Sequence, residues 1–276
     1  MSTIYKAYKD KVIIVVGGAS GMGEHIVRQL SSFAKTVIIL DRNKAKGTKL
    51  TKELFGNVLF EKVEMTDEKD VKKVIKRLHD THGDIDYFFN AAGSFMAGEI
   101  RDTPTKDWHE ITNINLQPII NGTSAIYELM LKSGHGHIIN IASSAGLFPV
   151  PVMSLYGATK FAVVGMTLGL RMEAKKLKIK VSVVCPTIVE TPLYETAMYE
   201  NVDKQRALSF LRTKANAQQP GKAARRIITA TAKNKAIIHT SLSTKIGYAS
   251  YRISPSFYML VAQRFFGLYR KHWRNK

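Results

Sequence analysis

KVIIVVGGASGMGEHIVRQL, residues 11–30, decides the fold. It reads as an unbroken apolar run rich in β-branched residues, then a glycine-rich turn, then an amphipathic helical pattern. An unbroken run, with no polar alternation, marks a strand buried on both faces, and that is the habit of parallel sheets. Further runs repeat the pattern: TVIILD (36–41), NVLFEKVEM (57–65), IDYFFNAAG (85–93), HGHIINIASSAG (135–146), KIKVSVVCP (178–186) and KAIIHT (235–240). Helical patterns lie between them, notably EKDVKKVIKRLHDTHG (68–83, with Gly83 as its stop), 113–132 and 155–177. Strands alternating with helices predict an α/β fold: a doubly wound parallel sheet of about seven strands with helices on both faces. The expected organisation is one catalytic domain over residues 1–240, with a lid at about 192–215, and a basic, aromatic C-terminal extension over 241–276.

The 276 residues suffice for one large α/β domain, and 45% hydrophobic with 23% charged residues excludes a disordered chain. The start, MSTIYKAYKDK, has no apolar h-region, and no long uncharged apolar run suggests a membrane span. A cytoplasmic protein is expected, with peripheral membrane contact left open. Cys185 is the single cysteine, which removes intrachain disulfides and cysteine-based zinc sites; no metal is expected. The formal charge of +19 is uneven: no Asp or Glu follows Asp203, while residues 204–276 carry 16 Lys or Arg. Such asymmetry suggests an anionic partner or a solvated basic face. No nucleic-acid motif accompanies it, so no specific nucleic-acid partner is expected.

Gly17, Gly21 and Gly23 lie at the strand-to-helix junction. There glycine permits a tight turn and a close backbone approach to a pyrophosphate, which the helix N-terminus attracts. Asp41 ends the next strand, where its carboxylate could bind ribose hydroxyls and repel a 2′-phosphate; this favours NAD, while Arg42 and Lys44 leave NADP open. Farther on, YGATK (156–160) sets Tyr156 and Lys160 four residues apart, on one face of a helix. An ammonium beside a phenol lowers its pKa and suits it to proton transfer. YxxxK alone is also an ordinary helix start.

Taken together, these motifs resemble the classical short-chain dehydrogenase/reductase family over roughly residues 9–240. VGGASGMG (16–23) is similar to the TGxxxGxG loop, with Val16 in place of threonine, and includes Ser20 and Met22. NAAG (90–93: Asn90, Ala91, Ala92, Gly93) is similar to NNAG. NINL places Asn115, INIASSAG places Ser143 (with Ser144 as its neighbour) and YGATK places Tyr156 and Lys160 at the family's catalytic positions. CPTIVETP resembles the PG segment, with Pro186, Thr187 in place of glycine, Val189, and Thr191 at the position that contacts the nicotinamide carboxamide. Glu64, followed by Met65, stands where an aspartate usually meets the adenine.

The resemblance implies an NAD(P)-dependent oxidoreductase interconverting an alcohol and a carbonyl. Tyr156 would be the general acid/base, Lys160 would favour the phenolate and bind the ribose, Ser143 would bind the substrate oxygen, and Asn115 would hold a relay water. It also implies a homodimer or homotetramer through the helices of 113–132 and 155–177. A cofactor-sensing binding protein on the same fold is the alternative. Leu193, Tyr194, Met198, Tyr199 and Val202, with LFPVPVM (147–153), Phe95 and Met96, form an apolar set that fits a lipophilic alcohol or ketone, or else core contacts.

In SPSFYMLVAQRFFGLYRKHWRNK (254–276), Ser254 reads as an N-cap and Pro255 as the first helical residue. Phe257, Val261, Phe265 and Leu268 form one stripe, interrupted by Arg264 and followed by Arg270, Lys271, Trp273, Arg274 and Lys276. The combination fits a helix lying on an anionic membrane surface. The rival reading packs the stripe against the same protein or a second subunit.

Overall fold

The computed structural model describes residues 3–54, 56–213 and 217–275, leaving aside the side chains of 3, 211–213, 265, 268, 269, 271 and 272. The strands are β1 (Val12–Val16), β2 (Thr36–Asp41), β3 (Val58–Lys62), β4 (Tyr87–Asn90), β5 (Met96–Gly98), β6 (Gly136–Ile141), β7 (Ile179–Cys185), β8 (Met198–Glu200) and β9 (Ile237–His239). The helices are α1 (Thr3–Tyr8), α2 (Gly21–Leu30), α3 (Lys44–Glu53), α4 (Glu68–His82), α5 (Thr105–Ser133), α6 (Ser154–Ala174), α7 (Lys204–Thr213), α8 (Pro220–Ala232), α9 (Leu242–Ile253) and α10 (Pro255–His272).

Seven strands form one parallel sheet in the order β3-β2-β1-β4-β6-β7-β9. Alternate side chains of its central strands feed opposite cores. Ile13, Val15, Val37, Ile39 and Phe89 face α2 and α8; Val12, Ile14, Ile38, Leu40 and Phe88 face α4 and α5. Both faces are dry, so the strands carry no polar alternation.

Local chemistry sets several helix ends. Asp67 caps α4 by accepting from Lys69 N (2.9 Å) and Asp70 N (3.1 Å), and Gly83 stops it at φ 85°. Asn43 caps α3 by accepting from Lys46 N at 3.0 Å. The predicted helix at 113–132 begins eight residues earlier, at Thr105, because Pro104 sets its entry and Pro118 is absorbed within it. The predicted third strand ends at Lys62 rather than Met65.

A smaller lobe stands over the carboxyl ends of the strands. Its parallel pair β5–β8, absent from the expectation, joins the segment after β4 to the predicted lid. A short 3₁₀ turn (Pro192–Tyr194), β8 and α7 make up the segment expected as a lid; its residues 214 and 215 lie outside the described residues.

The C-terminal extension folds back onto this lobe. Ser254 does cap α10, its hydroxyl accepting from Phe257 N at 3.3 Å. The buried side of α10 differs from the predicted stripe. Tyr258 donates to Pro149 O (2.9 Å), Phe266 packs on the lobe, and Trp273 meets Phe210 edge-on at 4.5 Å. Phe257 and Val261 face outward, while Phe265, Leu268 and Lys271 have side chains outside those described, as does Lys276.

Main chain closes the attachment. Asp203 N donates to Trp273 O (2.7 Å) and Asn275 N to Asn201 O (3.2 Å). Around it, the largely buried Glu99 accepts from Arg270 (3.1 and 2.8 Å) and Arg274 (3.4 Å), and Arg274 also reaches Asp102 at 3.1 Å. Two of the tail's cations are therefore ion-paired within the chain.

The guanidiniums hold the Glu99 carboxyl below the usual carboxylate range, Arg270 most strongly. Its stabilisation is full above the unfolded value of about 4.3 and is lost as pH falls through the lower folded value. Replacing Glu99 by Gln (Glu99→Gln) is expected to cost about 2 kcal/mol at neutral pH, between the values for exposed and buried pairs. Denaturant unfolding of both proteins at pH 7 and pH 3 checks this: the gap should shrink at pH 3, and equal stability at pH 7 would rule the clasp out.

Candidate active site

The carboxyl ends of β1, β2, β4, β6 and β7 converge on a cleft of about 400 Å³. Its floor is the turn between β1 and α2. Gly17 has φ 69°, and a Cβ there would stand 3.0 Å from the backbone of Ala91 and Ala92, so only glycine lets the turn press on the end of β4. Gly17 N donates to Leu40 O (2.8 Å) and Ala91 N to Val16 O (3.0 Å), which ties three strand ends together. A Cβ on Gly23 would sit 2.2 Å from Gly17 O, so the loop and the first turn of α2 are in direct contact.

Asp41 ends β2 at the far side of this floor. Its two carboxylate oxygens accept from Ala19 N (3.2 Å) and Asn43 N (2.9 Å). The acid is thus locked to the glycine turn and to the start of α3. Arg42, Asn43 and Lys46 line the cleft beside it; of the lysines of that segment it is Lys46, not the expected Lys44, that does so. Glu64, Met65, Ser20, Gly21, Met22, Ala91, Ala92 and Gly93 line it too, with Pro186, Thr187, Val189 and Thr191 opposite.

Ser143, Tyr156 and Lys160 meet at the other end. Ser143 follows β6 and its hydroxyl accepts from Ala145 N at 3.2 Å; the same hydroxyl is near enough to Tyr156 to favour its phenolate. Ser144 instead uses its N–H on Pro186 O (2.8 Å), and of the two serines only Ser143 lines the cleft. Tyr156 and Lys160 come from consecutive turns of α6, with the ammonium 5.6 Å from the ring centroid. Both are buried, and burial controls their titration. Tyr156 is pushed up to about 12, opposed by the Ser143 hydrogen bond. Lys160 is brought down to about 8. Desolvation, the largest cause of both shifts, moves the phenol opposite to the lowering expected from a neighbouring ammonium.

Two predicted residues stand behind the cleft rather than on it. Asn115 is fully buried in α5; its Oδ1 accepts from Ser94 N (2.7 Å) and its Nδ2 donates to Thr159 Oγ1 (3.1 Å). A Cβ on Gly93 would lie 3.0 Å from Asn115 Oδ1 and 3.2 Å from Lys160 Nζ, so both groups crowd the same glycine. Asn90 Nδ2 donates to Pro118 O (3.1 Å), which pins β4 to α5.

The smaller lobe caps the tyrosine. Phe95 lies edge-on to Tyr156 (5.1 Å) and to Tyr194 (5.0 Å), and Tyr156 is only 7% exposed. Met96, Val152 and Val202 pack in the same cluster, with Leu193, Met198 and Tyr199 at its edge. Most of the apolar set is therefore packed core, and Leu193 and Tyr194 are its members that line the cleft. Ile114 and Ser94 line it without having been singled out: neither has a side chain whose chemistry marks a site, and only the fold brings them there.

The short chain dehydrogenase family model matches residues 11–201. The chain belongs to the short-chain dehydrogenase family. An uncharacterized oxidoreductase of Staphylococcus aureus (strain USA300) is 32% identical over 198 residues, covering 71% of this chain and 85% of that protein. A short chain dehydrogenase/reductase of Burkholderia phymatum, solved in complex with NAD, shares the fold at a TM-score of 0.79 and 20% identity, covering 89% of this chain and 95% of that one. A serine dehydrogenase solved with NADP+ does so at 0.75 and 24% identity, covering 83% and 93%. This short-chain dehydrogenase has the glycine turn, the acid that ends β2 and the Ser–Tyr–Lys group in one cleft.

Gly23→Ala should lower stability by about 3 kcal/mol, since the clash is with backbone that cannot swing away. Gly165→Ala, in open space on α6, should instead raise it by up to about 1 kcal/mol. Thermal unfolding of the two variants checks the contrast; equal behaviour would mean that the loop yields freely.

Proposed function

We propose that this short-chain dehydrogenase is an NAD(P)-dependent oxidoreductase that interconverts an alcohol and a carbonyl on a lipophilic substrate, with Tyr156 as general acid/base. The observation that carries the reading is the convergence of Ser143, Tyr156 and Lys160 at one end of a cleft whose other end is the glycine turn and Asp41.

The residues present fit a dinucleotide. Gly17 and Gly23 leave no side chain between the turn and its surroundings, and the N-terminus of α2 opens beside them for a pyrophosphate. Gly17, Ser20, Gly21, Met22 and Gly23 would hold that group, Asp41 the ribose, Glu64 and Met65 the adenine end, and Thr187, Val189 and Thr191 the nicotinamide end. When bound, the cofactor supplies a hydride donor or acceptor. Asp41 supports a preference for NAD, since a 2′-phosphate would meet its carboxylate. Structural neighbours carry NAD in one case and NADP+ in another, and Arg42 with Lys46 is the feature that favours the phosphorylated form.

Tyr156 would give its phenolic proton to a carbonyl oxygen, or take one from an alcohol. Ser143 would hydrogen-bond the same oxygen and steady the charge that develops on it. Lys160, fixed by burial beside Gly93, would bind the ribose and raise the local positive potential. Asn115 would hold the Ser94 and Thr159 segments around it and support a water leading protons away. The apolar wall of Leu193 and Tyr194, backed by Phe95, supports a lipophilic substrate.

With the phenol near 12, Tyr156 is protonated at neutral pH and ready to act as an acid. Carbonyl reduction should therefore proceed at neutral pH, while alcohol oxidation should rise as pH increases and the phenolate fraction grows. Rate profiles in both directions test this; oxidation that falls with rising pH would contradict it. Tyr156→Phe should bind cofactor and lose about 10²–10⁴-fold in turnover. Retention of more than about a tenth would remove Tyr156 from the acid/base role.

Fluorescence titration with NADH and NADPH tests the cofactor. NADH should bind more tightly, and Asp41→Ser should narrow or reverse the difference. Tighter NADPH binding by the unaltered protein would transfer the decision to Arg42 and Lys46.

A further inference from the structure

We infer that the outward face of α9 and α10 is a docking surface for an anionic lipid membrane. The fully described side chains include fourteen large hydrophobic residues that are exposed, and seven of these lie between 242 and 261. They are not scattered. On α9, Leu242 (69% exposed), Ile246 (56%) and Ile253 (85%) follow helical spacing along one side. On α10, Phe257 (62%), Leu260 (58%) and Val261 (39%) do the same. Two consecutive helices thus turn apolar rows to the outside, while their opposite sides pack on each other and on the lobe through Tyr258, Phe266 and Trp273.

Charge decides what covers this face. Lys245, Arg252 and Arg264 are exposed on the same two helices, and no acid follows Asp203. A second copy of the chain, paired about a two-fold axis, would set this face against itself. The cations would then meet cations, with no carboxylate on either helix to offset them. A bilayer carrying anionic headgroups takes the apolar rows into its interface and neutralises the cations at once. Among the described residues no helix is long and apolar enough to cross a membrane.

The placement has a consequence for the site. The inner side of α10 belongs to the lobe that covers Tyr156, so a docked chain holds that lobe next to the lipid. A lipophilic substrate would then enter from the membrane. This last step rests on the proposed function; the docking does not.

The full chain is the reagent, because Arg270 and Trp273 anchor the extension and truncation would strip the lobe. Sedimentation is compared with vesicles of phosphatidylcholine alone and of phosphatidylcholine with about 30% phosphatidylserine. The protein should partition onto the anionic vesicles about tenfold more strongly, and less as salt rises. The double variant Ile246→Glu, Leu260→Glu should lose about tenfold or more of that binding at an unchanged melting temperature. NADH affinity of the same variant separates the two readings, since it should not move. Equal partitioning of wild type and variant overturns the inference. So does a variant that alters oligomer size by light scattering and leaves vesicle binding intact, which would make the face a contact between copies.

Discussion

Everything in this structure depends on burying both faces of a parallel sheet. Parallel neighbours cannot be joined by a tight hairpin, so each connection crosses over as a helix and returns to the same end. The carboxyl ends of β1, β2, β4, β6 and β7 are therefore on one side, and the loops leaving them share a cleft. The Gly17 turn is where that constraint is tightest. It touches the ends of β2 and β4 through backbone hydrogen bonds and leaves no room for a side chain. Asp41 is aimed by the same contact, since one of its oxygens is held by Ala19 N.

At the other end of the cleft, burial shapes the chemistry. A phenol and an ammonium taken out of water each resist their charged form, so Tyr156 moves up and Lys160 moves down. The Ser143 hydroxyl works against the shift of the tyrosine. Phe95 and Tyr194 contribute to that burial, which links the smaller lobe to the electrostatics of the site as well as to its shape. Asn115 acts at one remove. Its amide joins the segment after β4 to α6, and so fixes the distance between the glycine that crowds Lys160 and the helix that carries it.

The C-terminal extension divides its residues between two tasks. Tyr258, Phe266, Arg270, Trp273 and Arg274 fasten it to the lobe. Leu242, Ile246, Phe257 and Leu260 remain outside. The basic tail is thus not one uniform surface. Glu99 and Asp102 pair with Arg270 and Arg274, while Lys245, Arg252 and Arg264 lie on the exposed side.

Much of the fold and of the site was legible along the chain, because the relevant signals are local. An unbroken apolar run can only be a doubly buried strand or a buried helix, and its length and β-branching decide between them. A glycine turn between strand and helix, an acid ending the next strand, and Tyr156 one helical turn before Lys160 are likewise short-range patterns. The sequence by itself therefore determined the family, the doubly wound sheet and many of the residues that line the cleft, the glycine turn, Asp41, Tyr156 and Lys160 among them. Other features depended on partners far away in the chain. Ser143 and Ser144 are adjacent and chemically alike; only the course of the loop after β6 puts one hydroxyl beside Tyr156. The titration of Tyr156 depends on more than its nearest charge, because desolvation is a sum over every atom packed around it. The packed side of α10 was not legible along the chain, because Tyr258 and Trp273 find their partners at Pro149 and Phe210, far away in sequence. Tertiary structure decided these matters for one physical reason: burial and ion pairing are set by what surrounds a group, and spacing along the chain does not contain that.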